Sequence, residues 1–315
     1  MMKFTSPFSS LSKNDANIAG GKGASLGEMT QAGISVPDGF VVLSSTFDHF
    51  LHETDLTQEI ASILETVVHK EIHTVENASE KIQGLIKSVV MPENIAKEIK
   101  EQFKNLNSEF VAVRSSATAE DGQDHAWAGQ LDSFLNTTER DLLEKVQFCW
   151  ASLFTPRAIF YRFEKGLYTT QISVAVVVQK MIQSEVSGIA FSVHPITEDR
   201  NQLIIEAGYG LGEAIVSGSI TPDSYVVEKV PRKIIDKNIA DQKRAIMRSA
   251  NGNDWAMIDK EKRELQKLSD EQILALSETI IHIEKHYGFP CDIEWAFEDG
   301  KFYIVQSRPI TTLNR

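Results

Sequence analysis

Hydrophobic residues recur at helical spacing along much of the chain. Ile60, Ile63 and Leu64 open one such run, in which apolar side chains three and four residues apart form one face. This spacing is typical of a helix that buries one side in a core. The pattern predicts helices over five stretches: residues 24 to 31, 60 to 68, 79 to 105, 139 to 165 with a break at Pro156, and 262 to 287.

Short runs rich in valine, isoleucine and phenylalanine lie between these helices and predict buried strands. Residues 110 to 113 form one such run, and we expect it to deliver residues 114 to 117 into a loop. Further strands are predicted over residues 172 to 179, 188 to 193, 202 to 206 and 225 to 228. Residues 291 to 309 alternate between apolar and polar on both sides of an Asp-Gly pair, which predicts a closing hairpin.

The alternation in this hairpin also predicts its register. If residues 299 to 301 form the loop, Glu294 lies opposite Gln306 and shares a face with Arg308, and an apolar face remains on the other side. That apolar face comprises Ile293, Trp295, Phe297, Tyr303 and Val305. A two-residue loop would shift the register and mix the faces, so the pattern favours the longer loop.

Strands and helices interleave here without the regular alternation of a doubly wound parallel sheet. We therefore expect the α+β class, with two lobes. The 315 residues are enough for both lobes to have a core. We assign residues 1–180 to an N-terminal lobe with phosphate-binding glycine loops and residues 181–315 to a C-terminal lobe with a metal-binding hairpin.

The charge balance narrows the possible partners. Lys and Arg total 32 against 44 for Asp and Glu, so the net charge is -12. An acidic chain is a poor match for nucleic acid or an anionic membrane as its main partner. Two cysteines are too few for a disulfide framework, and the sequence shows neither a secretory signal nor a membrane span. We therefore expect a cytoplasmic protein.

Four segments could carry chemistry. Glycines surround Lys22 at residues 20 to 23, a pattern suited to a phosphate because backbone N–H groups and an ammonium are exposed together. Arg114 directly follows a predicted strand, and two serines come after it in the sequence. Gly129 lies in a predicted turn that could cover a ligand. The carboxylate and amide of the hairpin suit Mg²⁺, and its guanidinium suits phosphate. Each segment taken singly also fits a plain structural turn, a surface loop or a solvated hairpin.

Seven segments in order together resemble the nucleotide-binding domain of the phosphoenolpyruvate synthase and pyruvate phosphate dikinase family, which includes the rifamycin phosphotransferases. The segments are GGKGASLGEM, VPDGF, VAVRSSATAED, AGQLDSFLN, SGIAFSVHP, EAGYGLGEAIVSG and DIEWAFEDGKFYIVQSRP. They run from residue 20 to residue 309, so the resemblance covers nearly the whole chain.

The resemblance implies a bilobal ATP-grasp fold that holds ATP between two lobes and splits it into AMP and inorganic phosphate. In this family the β-phosphate passes to a histidine on a swivelling domain and then to an acceptor. By the resemblance, Lys22, Arg114 and Arg308 are catalytic and bind phosphate, Glu294 and Gln306 bind the metal, and Gln179, Met181 and Ile182 belong to a hinge that faces the adenine.

The sequence departs from the family pattern in two respects. Residues 122 to 127 read GQDHAW, where the family has a proline-containing stretch and a Ser-Phe pair. We also find no swivelling-domain histidine motif and no acceptor-binding barrel. We therefore expect both on a separate domain or chain, with pyruvate as the leading acceptor and an antibiotic hydroxyl second. A nucleotide sensor without transfer and an ATP-grasp ligase that releases ADP are the alternatives.

Overall fold

The computed structural model describes residues 2–118, 132–166, 173–249 and 252–313. Helices and strands are both abundant in them, which confirms the α+β class. The described helices are α1 Ala16–Gln31, α2 Ser44–Glu53, α3 Leu56–Glu65, α4 Ile72–Ser88, α5 Glu93–Asn105, α6 Leu142–Ala151, α7 Pro156–Glu164, α8 Glu213–Val216 and α9 Asp270–Tyr287. None of these helices is both long and apolar enough to cross a bilayer.

The described strands supply three antiparallel sheets. They are β1 Thr5–Pro7, β2 Gly39–Val42, β3 Val111–Ala117, β4 Ser133–Thr137, β5 Val174–Lys180, β6 Val186–Phe191, β7 Gln202–Tyr209, β8 Asp223–Glu228, β9 Lys233–Asn238, β10 Arg244–Ser249, β11 Gly252–Met257, β12 Cys291–Glu298 and β13 Lys301–Pro309. The chain is divided into two compact units.

The first unit comprises residues 1–28 and 38–181. Its five-stranded sheet has the order β1-β2-β5-β3-β4. Helix α6 packs on β3 and β5, and the fully buried Trp150 of that helix lies 4.9 Å from the ring of Phe50 and 5.6 Å from that of Phe47. Large apolar side chains thus hold the two central strands against the helices.

The second unit comprises residues 29–37 and 182–315. Its six-stranded sheet has the order β13-β12-β6-β7-β8-β9, and β10 pairs with β11 in a separate hairpin. Helix α9 packs on this sheet through Leu276, Ile280 and Ile283, which are fully buried and recur at helical spacing. The helix predicted around 262 to 287 is therefore present, although its first turn lies later.

Helix α9 begins where its N-terminal N–H groups find a side-chain partner. The Ser269 hydroxyl accepts the N–H of Gln272, and the Gln272 side chain accepts the N–H of Ser269. This reciprocal capping box fixes the start of the helix. The predicted start near residue 262 was wrong because apolar spacing alone does not locate a cap.

Two other helix predictions were wrong in their boundaries. The stretch from 79 to 105 is divided between α4 and α5, with Pro92 immediately before α5. Proline disfavours helical geometry in the residue before it, so the two runs cannot join. The run from 60 to 68 ends as a helix at Glu65, and Val68 is 49% exposed.

Strand β3 extends further than the apolar run that predicts it. Residues 114 to 117 continue the strand and pair with β5 as far as Ala117 opposite Val174. The expectation that they enter a loop was wrong. Ser115 and Ser116 are 1% and 0% exposed, and their hydroxyls form hydrogen bonds, so the strand stays buried without apolar side chains.

The closing hairpin has the predicted pairing of Glu294 with Gln306, but its loop is shorter than predicted and one strand contains a bulge. Its loop is the two-residue Asp299-Gly300, because Glu298 pairs with Lys301. A bulge at Val305 then restores the register, so the three-residue loop was wrong.

Because the loop is shorter than predicted, the apolar face of the hairpin contains different residues of β13 than predicted. Phe302 packs against Trp295 and Phe297, with ring centroids 5.7 Å and 4.8 Å apart. Tyr303 pairs with Ala296 instead. The prediction that Tyr303 shares a face with Trp295 was therefore wrong.

Glycine is required where β6 meets β7. A Cβ on Gly188 would overlap the backbone carbonyl of Glu206 and lie 2.8 Å from Trp295 Cζ2. We expect Gly188→Ala to lower the free energy of unfolding by about 2 kcal/mol or more, because backbone must move to relieve the overlap. Urea denaturation of the chain measures this.

Gly84 in α4 is the matched control, since a Cβ there meets no atom of the described residues within 4 Å. Gly84→Ala should stabilise the chain by about 0.5 to 1 kcal/mol, through helix propensity. Equal effects of the two substitutions would contradict the overlap at Gly188.

Candidate functional site

The glycine cluster forms the first turn of a helix. Helix α1 is interrupted at Gly20, which has φ 66° and ψ 170°, so that a second helical part begins directly after it. Lys22 therefore lies in a first helical turn and not in a loop before Ala24. A Cβ on residue 20 would overlap the hydroxyl and carbonyl of Ser116 in β3, so glycine is needed for its conformation and its close approach.

Strand β3 places Arg114 on the same face as Ser116. Alternate residues of a strand point to the same side, and the half-buried Arg114 pairs with Val177 of β5. The glycine turn that carries Lys22 packs against this same strand. The first unit thus connects both predicted phosphate-binding cations to one structural element.

The predicted hinge begins in β5. Gln179 pairs with Gly39 on one side and Ala112 on the other, and it is 2% exposed. Its buried Nε2 has no hydrogen-bond partner among the residues that the structure describes. An unsatisfied buried amide is unusual and marks a donor that a ligand could satisfy.

The backbone N–H of Met181 already forms a hydrogen bond within the protein. It donates to the carbonyl of Phe110 at 3.0 Å. Met181 can therefore offer an adenine only its carbonyl oxygen. Ile182, the next residue, begins the stretch of the second unit that runs to residue 315 and is 6% exposed.

A row of paired residues, three of them polar, crosses four strands of the second unit. Glu294 in β12 pairs with Gln306 in β13 on one side and with Ile189 in β6 on the other, and Ile189 pairs with Glu206 in β7. Directly paired residues of an antiparallel sheet point to the same face. The structure therefore brings together the two predicted metal ligands and adds Glu206.

Asp292 joins the same face beside Arg308. The two residues pair across the hairpin, and Asp292 Oδ2 accepts Arg308 Nε at 2.9 Å and lies 2.7 Å from Nη2. Asp292 was not predicted as a site residue from the sequence, although alternation from Glu294 places it on this face. Glu206 could not have been found, because its position depends on the strand order.

Burial raises the pKa values of the two additional carboxyls. The pKa of Glu206 is raised first by burial and then by the charge of Asp292. Burial also raises the pKa of Asp292, the Arg308 guanidinium opposes that shift, and Glu294 adds to it. A partly buried carboxylate face of this kind favours a cation.

The donor set fits Mg²⁺ bound together with a phosphate. Among the described residues, no group of three or more His, Cys, Asp and Glu side chains is arranged to hold a metal by itself. Mg²⁺ usually takes one or two carboxylates and completes its shell with phosphate oxygens and water. Glu294 and Gln306 would supply the protein's share. Gly129 lies outside the described residues.

Comparison with known proteins decides the family. The profile described as pyruvate phosphate dikinase, AMP/ATP-binding domain, matches residues 16–315. The chain belongs to this family.

Curated relatives of this ATP-binding domain are much longer proteins. A "Probable phosphoenolpyruvate synthase" of Methanocaldococcus jannaschii is 44% identical over 100% of this chain and 27% of its own length. The phosphoenolpyruvate synthase of Pyrococcus furiosus is 41% identical over 99% and 44%, and the rifampicin phosphotransferase of Bacillus subtilis is 41% identical over 96% and 35%. The chain thus spans less than half of these relatives.

A solved structure, the D-alanine-D-alanine ligase of Helicobacter pylori, is 13% identical to the ATP-binding domain. The match covers 74% of this chain and 53% of the ligase, with a TM-score of 0.31.

The raised pKa of Glu206 predicts a pH-dependent stability effect in this domain. Above its raised folded-state pKa the carboxylate is charged and destabilises the fold, whereas the unfolded chain ionises at the ordinary, lower pKa. The free energy of unfolding therefore falls as pH rises from the ordinary pKa of the unfolded chain through the raised pKa of the folded protein. Glu206→Gln, which mimics the protonated group, should raise the melting temperature at pH 7.5 and lose that advantage towards pH 4.

Thermal unfolding at both pH values measures the effect. Glu264 is an exposed glutamate on the same unit, and Glu264→Gln is the control that should show no such pH-dependent difference. A Glu206→Gln melting temperature equal to that of the wild type at both pH values would rule out the unfavourable charge.

Proposed function

We propose that this domain binds Mg-ATP and passes a phosphoryl group to a histidine on a separate domain or chain, with ATP split into AMP and inorganic phosphate. The pairing of Glu294 with Gln306 on one sheet face, in a chain of an AMP/ATP-binding family, is the observation that carries the proposal. A sensor that only bound the adenine would not need this paired set. The ATP-grasp assignment follows from the family membership.

Each predicted residue has a physical role in this proposal. Glu294 and Gln306 hold Mg²⁺, which neutralises negative charge on the phosphates when bound. Lys22, Arg114 and Arg308 bind phosphate oxygens and stabilise the charge that spreads over the transferring group. Gln179, Met181 and Ile182 contact the adenine, and Gly129 contributes to nucleotide binding. The phosphate-binding loops belong to residues 1–180 and the metal hairpin to residues 181–315.

The relatives extend well beyond the part that matches this chain, and that additional length could hold the proposed histidine and acceptor site. Pyruvate is the leading acceptor, because several similar relatives are named phosphoenolpyruvate synthase or probable phosphoenolpyruvate synthase. A hydroxyl of a rifamycin-like antibiotic is the second, supported by the relatives named rifampicin phosphotransferase. A cytoplasmic location stays a prediction from the sequence.

Position-specific labelling of ATP tests the transfer. The purified chain is incubated with Mg²⁺ and ATP labelled at the β- or the γ-phosphate, with and without cell extract. We expect β-label on a histidine of another polypeptide, as an acid-labile and base-stable phosphate, together with AMP. Binding of Mg-ATP without movement of β-label would favour the sensor, and release of ADP would favour a ligase.

Glu294→Gln separates binding from transfer. We expect ATP affinity to stay within about tenfold of wild type and transfer to be lost, because the missing charge matters most to Mg²⁺ and to the developing charge of the reacting group. Titration calorimetry measures affinity, and the labelling assay measures transfer.

The exposed Glu278 on α9 offers the matched control, with a side chain 70% exposed. Glu278→Gln should change neither quantity. Wild-type transfer by Glu294→Gln would overturn the assignment of Glu294 as a metal ligand.

A further inference from the structure

The helical part that carries Lys22 begins without a capping side chain of its own. The first N–H groups of any helix lack partners within it, and the residue before the helix usually supplies a side-chain oxygen to the second or third of them. That preceding residue here is Gly20, which has no side chain. Another part of the chain must therefore satisfy the Gly23 N–H, the third in the helix.

Ser116 supplies the missing acceptor from a different element. Its hydroxyl oxygen accepts the Gly23 N–H at 3.3 Å, and this hydrogen bond is buried. The same hydroxyl occupies the space that a Cβ of residue 20 would fill. Glycine at position 20 and serine at position 116 are thus complementary. Because Gly20 has no side chain, there is room for the Ser116 hydroxyl to cap the helix.

The position of Ser116 is rigidly defined. It is 0% exposed, it pairs with Ala175 of β5, and its strand lies inside the five-stranded sheet between β5 and β4. Arg114 lies two residues earlier on the same strand and the same face. A cap from β3 therefore ties the start of the Lys22 helix to the strand that carries the second predicted phosphate-binding cation.

We propose that Ser116 is a positioning residue that holds Lys22 in place for the nucleotide phosphates. The inference rests on the proposed function, in which Lys22 binds those phosphates. Ser116 is fully buried in the chain, and its hydroxyl contacts the Gly23 N–H. Its effect is confined to ligands that carry phosphate, because it acts through the lysine and the helix start and not through the adenine.

Ser116→Ala tests the inference in the whole chain. Binding of Mg-ATP and of adenosine is measured by calorimetry, and amide hydrogen exchange is followed at residues 21 to 23. We expect ATP affinity to fall by about tenfold, adenosine affinity to stay unchanged, and the Gly23 amide to exchange faster, because one cap is lost. Unchanged ATP affinity would overturn the proposal.

Ser115 is the matched control on the opposite face of the strand. It is 1% exposed, and its hydroxyl contacts the carbonyls of Asp132 and Cys149 and the Ser152 hydroxyl. We expect Ser115→Ala to lower the melting temperature but to leave ATP affinity and Gly23 exchange at wild-type values. A loss of ATP affinity equal to that of Ser116→Ala would mean a general effect of the strand and would overturn the proposal.

A double-mutant cycle shows whether Ser116 acts through Lys22. Lys22→Ala should weaken ATP binding, and adding Ser116→Ala to it should weaken binding little further. Independent losses that simply multiply would overturn the positioning role and leave the role of Lys22 intact. ATP binding by Lys22→Ala at wild-type strength would instead overturn the phosphate role of Lys22, and the inference with it.

Discussion

The register of the closing hairpin is the constraint on which the proposed metal site depends. With a two-residue loop and no irregularity, Glu294 would lie opposite Val305, and Gln306 would point to the other face. The bulge at Val305 removes this conflict by adding one residue to a single strand. On the turn side of the bulge, Phe302 packs with Trp295 and Phe297, and on the other side the polar residues meet. One extra residue therefore lets a single hairpin contribute to a core and to a binding face.

Strand β3 plays a comparable part in the first unit. Its apolar half, Val111 and Val113, lies in the core, and its polar half continues the same backbone ladder through Arg114 and Ser116. Because the polar half is held on β5 and not in a loop, its side chains have fixed directions. Gly20, which has no side chain, then packs directly against Ser116 of this strand. Rigidity of this kind would suit the proposed phosphoryl transfer, because such transfer depends on positioning and fixed charges more than on covalent chemistry by the protein.

Apolar spacing predicted most elements of this fold, because it records which side chains are buried. It failed where polar groups set the structure. The start of α9 depends on the capping box of Ser269, and the length of β3 depends on serine hydroxyls that find partners inside the protein. In the candidate site, the pairing of Glu294 with Gln306 could be predicted from alternation. Glu206 could not, because strand order brings residues together that lie almost 90 positions apart in the chain.

The charges on the sheet face of the second unit give a physical reason for a bound cation. Glu206, Asp292 and Glu294 lie on one face, and the Arg308 guanidinium is already paired with Asp292. Burial raises the pKa values of Glu206 and Asp292, and a neighbouring carboxylate adds to each shift, so the ionised face is unfavourable by itself. A polyanionic triphosphate alone would add to this repulsion. A divalent cation is attracted to both the carboxylates and the phosphate oxygens. A bound nucleotide would therefore strengthen cation binding by the protein, and a bound cation would strengthen nucleotide binding. The acidic face therefore supports the proposal that the nucleotide binds as Mg-ATP and not as free ATP.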